Sequence, residues 1–255
     1  MRLTIVGCSG SLAGPDSPAS CYLVQAEQGG RVWNLVLDLG NGALGTLQRH
    51  TDLGAIDAVV LSHLHPDHCL DLCGLYVAQK HSPALVERVR IPVYGPQGTA
   101  ERMARAYDIT SAEGMHHEFD FRELADAQAV RVGPFTVTPH RVRHPGQAYG
   151  IRVEADGEVL AYSGDTDACE GLNVLFRGAT LVLADSAFVD GRDQAQGIHL
   201  SGSRAAQAAL DAGGVRRLML THMPPWNDHA VCRAQAGAVW PGEVEVAEVD
   251  AVYEL

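Results

Sequence analysis

The segment SHLHPDHC (62–69) carries four groups able to bind a metal, His63, His65, Asp67 and His68, within six residues. It follows the apolar, strand-like run 58–61 and precedes a helix-like stretch. In an extended segment residues two apart point the same way, so His63 and His65 can face one centre together. Pro66 then turns the chain, and Asp67 with His68 can open the helix from another angle and face a second centre. A lone loop histidine is ordinarily a surface residue, but four such groups at this spacing read as two pairs of ligands. Single residues further on stand at the ends of strand-like runs: His144 after FTVTPHRVR, Asp165 in SGDT, and His222 in LTH. Taken alone, each is an ordinary turn or hydrogen-bonding residue. Together with the cluster they make five histidines and two aspartates, enough for two metal ions with open positions. Imidazole with carboxylate and no thiolate suits Zn²⁺, Mn²⁺ or Fe.

The elements that must hold these groups are mostly short strands. Apolar or β-branched runs recur between turn signals at 3–6, 21–24, 32–39, 58–62, 91–94, 135–142, 149–154, 159–163, 180–185 and 217–222. Helix-like segments fall at 43–50, 68–81, 98–107, 167–177 and 203–213, the last stopped by Gly213 and Gly214. Strands joined by short turns come first and strand-helix alternation follows, which predicts a layered α/β architecture with mixed sheets. The stretch 108–128 is polar and weakly patterned. No repeat, low-complexity block or linker marks a boundary, so residues 1–255 are expected to form one domain.

The composition constrains what such a site serves. Of 255 residues, 46% are hydrophobic and 20% charged, ample for a packed core. The formal charge of −12 argues against gripping a polyanion by blanket electrostatics, so a phosphate substrate would need a local source of positive charge. Six scattered cysteines do not form a secreted disulfide framework, and Cys69 and Cys73 read as buried small residues on a helix. No signal-peptide core or run of 18 apolar residues occurs, so a cytoplasmic protein that neither crosses nor enters a membrane is expected.

The order HLHPDH, then His, then GDT, then THMPP resembles the metallo-β-lactamase superfamily over nearly the whole chain. The resemblance implies a four-layer αββα sandwich of two mixed β-sheets, with a dinuclear site at one edge between them. Carried over residue by residue, it implies His63, His65 and His144 on one metal, Asp67, His68 and His222 on the other, and Asp165 bridging the two. Asp67 would also orient the nucleophile. The segment GIHLSGSRAAQAAL resembles the HST-plus-helix motif of the ribonuclease Z-like branch, with HLS in place of HST. That implies a catalytic role for His199 as a cation or proton donor beside the leaving oxygen.

Within that branch, the arm that short bacterial ribonuclease Z uses to grip transfer RNA lies between the ligands matched by His144 and Asp165. Only 20 residues separate those two here, filled by two strand-like runs and an Asp156-Gly157 turn. The runs GCSGSLAGPDSPASCYLV, LDLGNGALGTLQRH and LTHMPPW resemble bacterial cyclic-nucleotide phosphodiesterases of the branch. Hydrolysis of a small anionic phosphodiester such as cyclic AMP is therefore the leading expectation, with transfer RNA 3′ processing second. A non-catalytic metal scaffold is the alternative of another class. The resemblance also implies a homodimer. Asp38 reads equally as a plain turn or as an acceptor holding a ligand histidine, Asp185 as a residue supporting a ligand or merely a strand-end carboxylate, left out of the site because related proteins tend to have Glu there, and the GCSGS loop (7–11) as a tight turn rather than a phosphate cradle. His116 and His117 read as surface residues.

Overall fold

A computed structural model describes residues 1–85 and 89–255. The first half of the chain supplies six strands of a seven-stranded sheet, β1 (Arg2–Gly7), β2 (Cys21–Gln28), β3 (Arg31–Leu37), β4 (Ala58–Val60), β5 (Ile91–Gly95) and β6 (Phe119–Glu123). The second sheet contains β7 (Val130–Val132), β8 (Phe135–Arg141), β9 (Tyr149–Ala155), β10 (Glu158–Tyr162), β11 (Leu181–Asp185), β12 (Arg217–Thr221) and β13 (Val244–Val246). The last strand, β14 (Val252–Glu254), returns to the first sheet beside β1, giving the order β14-β1-β2-β3-β4-β5-β6 against β13-β12-β11-β10-β9-β8-β7. Both sheets are mixed. β1 to β3 and β7 to β10 pair antiparallel, whereas β3 to β6 and β10 to β13 pair parallel.

Strand periodicity explains why the sheets stack. Alternate residues of one strand point to opposite faces, so a strand buried on both sides feeds two cores. Leu35 and Leu37 of β3 pack between the sheets with Leu181 and Leu183 of β11, and Phe135, Ile151 and Tyr162 join them. The intervening Val36 faces outward to α1 (Ala43–Leu47), α2 (Pro66–Cys69), α3 (Leu72–His81) and α4 (Thr99–Ala106), where Leu47, Leu72, Leu75 and Met103 cover it. Val182 and Ala184 of β11 likewise face α5 (Gly171–Phe176), α6 (Gly202–Ala212) and α7 (His229–Gly237). The result is the αββα sandwich. Among the described residues no helix is long and apolar enough to cross a membrane.

The differences from the sequence reading have local causes. The single helix expected over 68–81 is broken because Leu39, leaving β3, bonds into it. The Leu39 amide donates to the His68 carbonyl at 2.7 Å, and the Asp71 amide donates back to the Leu39 carbonyl at 3.1 Å. Both groups would otherwise continue an α-helix, so α2 ends and α3 starts afresh. Cys69 and Cys73 thus belong to different helices. The weakly patterned stretch 108–128 contains the edge strand β6, whose low apolar content follows from its half-buried setting. Helix α7 and strands β13 and β14 had no clear periodic signal. The β9–β10 connection is the expected two-residue turn, with Asp156 and Gly157 both at positive φ, as a tight hairpin requires.

The junction at Leu39 depends on Gly40, where an added Cβ would lie 2.0 Å from the Asp67 carbonyl oxygen. Gly45, exposed in α1, has open space at the same position. Gly40→Ala is expected to destabilise the fold by at least about 2 kcal/mol in denaturant titration, while Gly45→Ala stabilises it by about 0.5–1 kcal/mol.

Candidate functional site

All the groups singled out in the sequence lie at one edge of the sandwich, just beyond the C-terminal ends of strands that run the same way. β4 leads to His63, β8 to His144, β10 to Asp165 and β12 to His222. Parallel strands with short exits place successive loops side by side, so residues far apart in sequence meet there. His65 caps α2 with an extended backbone, Pro66 occupies the first helical position, and Asp67 and His68 follow in the first turn. That local turn sends the two pairs of side chains to different places.

Donor atoms of His63, His65, His144 and Asp165 lie within 4.8 Å of one another, as do those of Asp67, His68, Asp165 and His222. Asp165 belongs to both groups. In the first, His65 Nδ1 stands 3.0 Å from His63 Nε2 and 3.1 Å from His144 Nε2. In the second, His222 Nε2 stands 3.1 Å from His68 Nε2, 3.1 Å from Asp67 Oδ2 and 3.3 Å from Asp165 Oδ1. His65 is exposed, whereas the other six are buried, which gives the site an open side.

The outer partners determine which nitrogen faces inward. His144 Nδ1 donates to the Ile198 carbonyl at 2.8 Å, and His68 Nδ1 donates to Asp38 Oδ2 at 2.7 Å. Because these partners only accept, both rings turn Nε2 into the cluster. Ring nitrogens and carboxylate oxygens crowded at this range call for positive charge between them, supplied by protons or by bound cations. The buried Asp165 Oδ1 lies 3.1 Å from His68 Nε2 and 3.3 Å from His222 Nε2 without a well-formed hydrogen bond to either, and His63 is held below its ordinary pKa by burial and by the charge of His68. The donor chemistry therefore fits divalent cations. Cysteine is not needed, since Cys69 Sγ points to the His65 carbonyl, 3.2 Å away.

Electrostatics of the bare residues points the same way. Burial opposes the charged form of Asp165, but His222, His68 and His63 hold it well below the usual carboxylate range. Burial likewise opposes the charge on Asp67, and hydrogen bonds from His222 and His68 overcome that. Reciprocally, burial disfavours protonation of His222, but Asp165, Asp185 and Asp67 push its pKa up to about 10. Cations entering the cluster would take over the compensating role of these protons.

Two carboxylates prove more than strand-end turns. Asp38, wholly buried and at φ 56, accepts from the Ser62 amide and hydroxyl, from His68 and from the Tyr162 hydroxyl, each at 2.7 Å. It is the acceptor that orients His68. Asp185 was missed as a site residue. It accepts from the Thr166 amide at 3.0 Å and from His199 Nδ1 at 2.9 Å, and its other oxygen stands 3.6 Å from His222 Nδ1. The signal was a carboxylate closing the otherwise apolar run TLVLAD, which a turn would also produce. His199 itself is brought beside the cluster, 4.0 Å from Asp165. Burial lowers its affinity for a proton, but Asp185 more than offsets this and raises its pKa.

The GCSGS loop makes a turn whose role is to seat His222. The Gly10 amide donates to the Met223 carbonyl at 3.1 Å, the Ser11 amide approaches His222 Nε2 at 3.3 Å, and a Cβ on Gly10 would strike the His222 carbonyl oxygen at 2.1 Å. His222 has φ 57, a conformation costing about 1–2 kcal/mol for a non-glycine residue, held by this packing. His116 and His117 are exposed.

Comparison with known proteins places this geometry in a family. Residues 34–223 match the model of the beta-lactamase superfamily domain. The protein Rv1339 of Mycobacterium tuberculosis is 40% identical over 258 residues, covering all of this chain and 92% of the relative. A ribonuclease Z of Mycobacterium bovis is 28% identical over 278 residues, covering 96% of this chain and 95% of its own. The probable metallo-hydrolase YhfI of Bacillus subtilis is 28% identical over the whole of both chains. Its crystal structure, described as a metallo-beta-lactamase fold protein, superposes with a TM-score of 0.86 at 26% identity over 99% of each chain. The strand-end cluster therefore sits on a shared scaffold, and this chain belongs to the metallo-β-lactamase superfamily, in its ribonuclease Z-like branch.

Proposed function

We propose that this protein is a metal-dependent phosphodiesterase acting on a small diester, with a cyclic nucleotide such as cyclic AMP as substrate. His63, His65 and His144 would hold one divalent cation and Asp67, His68 and His222 the other, with Asp165 common to the two donor groups. The observation that carries this reading is the pair of donor groups sharing Asp165 beside the buried Asp185–His199 pair. When bound, the two cations, Zn²⁺, Mn²⁺ or Fe, supply Lewis-acid charge to the phosphate oxygens and lower the pKa of a water.

The chain's own residues do the rest. Asp67 orients the attacking water with its carboxylate. Asp185 occupies His199 Nδ1, so Nε2 is the nitrogen free to face the substrate, and the Asp185 carboxylate raises the affinity of the ring for a proton. The water oxygen bonds to phosphorus as its proton passes to the Asp67 carboxylate, the ester P–O bond breaks, and the leaving oxygen takes the His199 proton; release of the Asp67 proton to solvent and uptake of one by His199 restore the starting state. The acidic surface and the tight hairpin between His144 and Asp165 favour a small anion drawn to local cations over a large RNA. The likeness to ribonuclease Z over 96% of this chain supports transfer RNA processing as the second reading.

Asp165→Ala is expected to retain the fold by circular dichroism, bind fewer than two metal equivalents, and lose at least about 100-fold in turnover of bis-p-nitrophenyl phosphate. Full activity after exhaustive chelation would overturn the metal reading, and two bound metals without any hydrolysis would favour a scaffold. Asp38→Asn, which weakens the acceptor behind His68, should lower metal affinity by about 10–100-fold in a competitive titration. A panel of 3′,5′- and 2′,3′-cyclic nucleotides against a precursor transfer RNA ranks the substrates. Cleavage of the RNA alone would put transfer RNA processing ahead of cyclic-nucleotide hydrolysis.

A further inference from the structure

The segment 197–199 is gripped at three consecutive residues, and two of the grips come from one ion pair. Asp167, only 1% exposed, accepts the Gly197 amide on Oδ2 at 2.6 Å and the Ala168 amide on Oδ1 at 2.6 Å. Its Oδ1 also pairs with the guanidinium of Arg204, which lies in the first turn of α6. The second arm of Arg204 donates to the His199 carbonyl at 3.3 Å. Between these two anchors lies Ile198, whose carbonyl takes the proton of His144 Nδ1. The Asp167 backbone is itself tied to the neighbour of His144, its amide donating to the Arg143 carbonyl at 2.8 Å. Asp167 and Arg204 are not among the clustered donors, yet the loop they join carries one residue at the site and the backbone acceptor of another.

We propose that Asp167 and Arg204 are positioning residues that set the place of 197–199, and so fix both the His199 imidazole and the orientation of His144. The Asp185 bond fixes only one end of the His199 ring. Where Nε2 points depends on the backbone that bears the ring, and Arg204 holds that backbone at the His199 carbonyl. A planar two-armed cation is required, since one arm meets a carboxylate while the other meets a carbonyl. A displacement of about 1 Å at a proton-transferring group is enough to cost about 100-fold in rate.

The kinetic part of this inference rests on the phosphodiesterase reading, so the test includes readouts that do not. Full-length metal-loaded Arg204→Gln and Asp167→Asn are compared with the native protein, and Arg204→Lys serves where the first variant fails to fold. Exchange of the Gly197 amide with deuterium should speed up at least about tenfold, and Zn²⁺ affinity should fall about tenfold through the loosened His144. Two diesters separate positioning from general damage. Bis-p-nitrophenyl phosphate releases an aryl oxide that leaves without a proton, whereas cyclic AMP releases a ribose oxygen that needs one. Turnover of cyclic AMP should fall about 100-fold and that of bis-p-nitrophenyl phosphate by less than about threefold. Equal losses on the two esters, or unchanged Gly197 exchange, would overturn the inference. If the native protein hydrolyses neither diester, the phosphodiesterase reading fails, and Gly197 exchange with Zn²⁺ affinity decides the positioning role alone.

Discussion

Four carboxylates, Asp38, Asp67, Asp165 and Asp185, are buried together at one edge of the sandwich, and the site depends on how their charge is compensated. A buried carboxylate is costly unless paired and hydrogen-bonded. Here the imidazoles of His63, His68, His199 and His222 and the amides of Ser62, Thr166 and Ala187 surround them. The compensation is incomplete at the centre, where Asp165 Oδ1 makes no well-formed hydrogen bond to the His68 and His222 nitrogens beside it and ring nitrogens face one another. A site arranged this way is unfinished in chemical terms and suited to cations. Cations held there would give a chain of charge −12 a local attraction for an anion that its net charge does not supply.

The sandwich keeps such an arrangement rigid by burying strands on both faces. β3 and β11, central to their sheets, have outward and inward residues packed into different cores, and each ends in a site carboxylate, Asp38 or Asp185. The strands cannot shift by one residue without exchanging two apolar faces. Their ends are thereby fixed to within a fraction of a residue. Backbone strain is stored at the same edge. Asp38, Ser11 and His222 all have positive φ, which dense packing around Gly10 and Leu39 sustains.

Around the donor atoms there is a division of labour. His68, His144 and His199 each offer one ring nitrogen to the site while the other is tied to Asp38, the Ile198 carbonyl or Asp185. Their tautomers and ring directions are consequently decided from outside the cluster. The Asp167–Arg204 pair extends this outward by one more layer, through backbone rather than side chain.

The sequence by itself determined the donor set and its division into pairs, because His63, His65, Asp67 and His68 are neighbours and their directions follow from a strand exit, a proline and a helical first turn. It also determined the sheet-rich architecture, since period-two apolar runs have a strong local signature. Only the tertiary structure decided which carboxylates support the ligands. His68 and Asp38 are 30 residues apart and His68 and His222 are 154 apart, brought together by strand pairing that no local pattern encodes. Asp38 and Asp185 looked like turn residues because a strand end favours aspartate for either reason. The break between α2 and α3 was equally invisible, since Leu39 captures the helix's own hydrogen-bonding groups from another element. Ligand types and spacing are chemistry held in consecutive residues, whereas orientation is set by hydrogen bonds that exist only once distant segments meet.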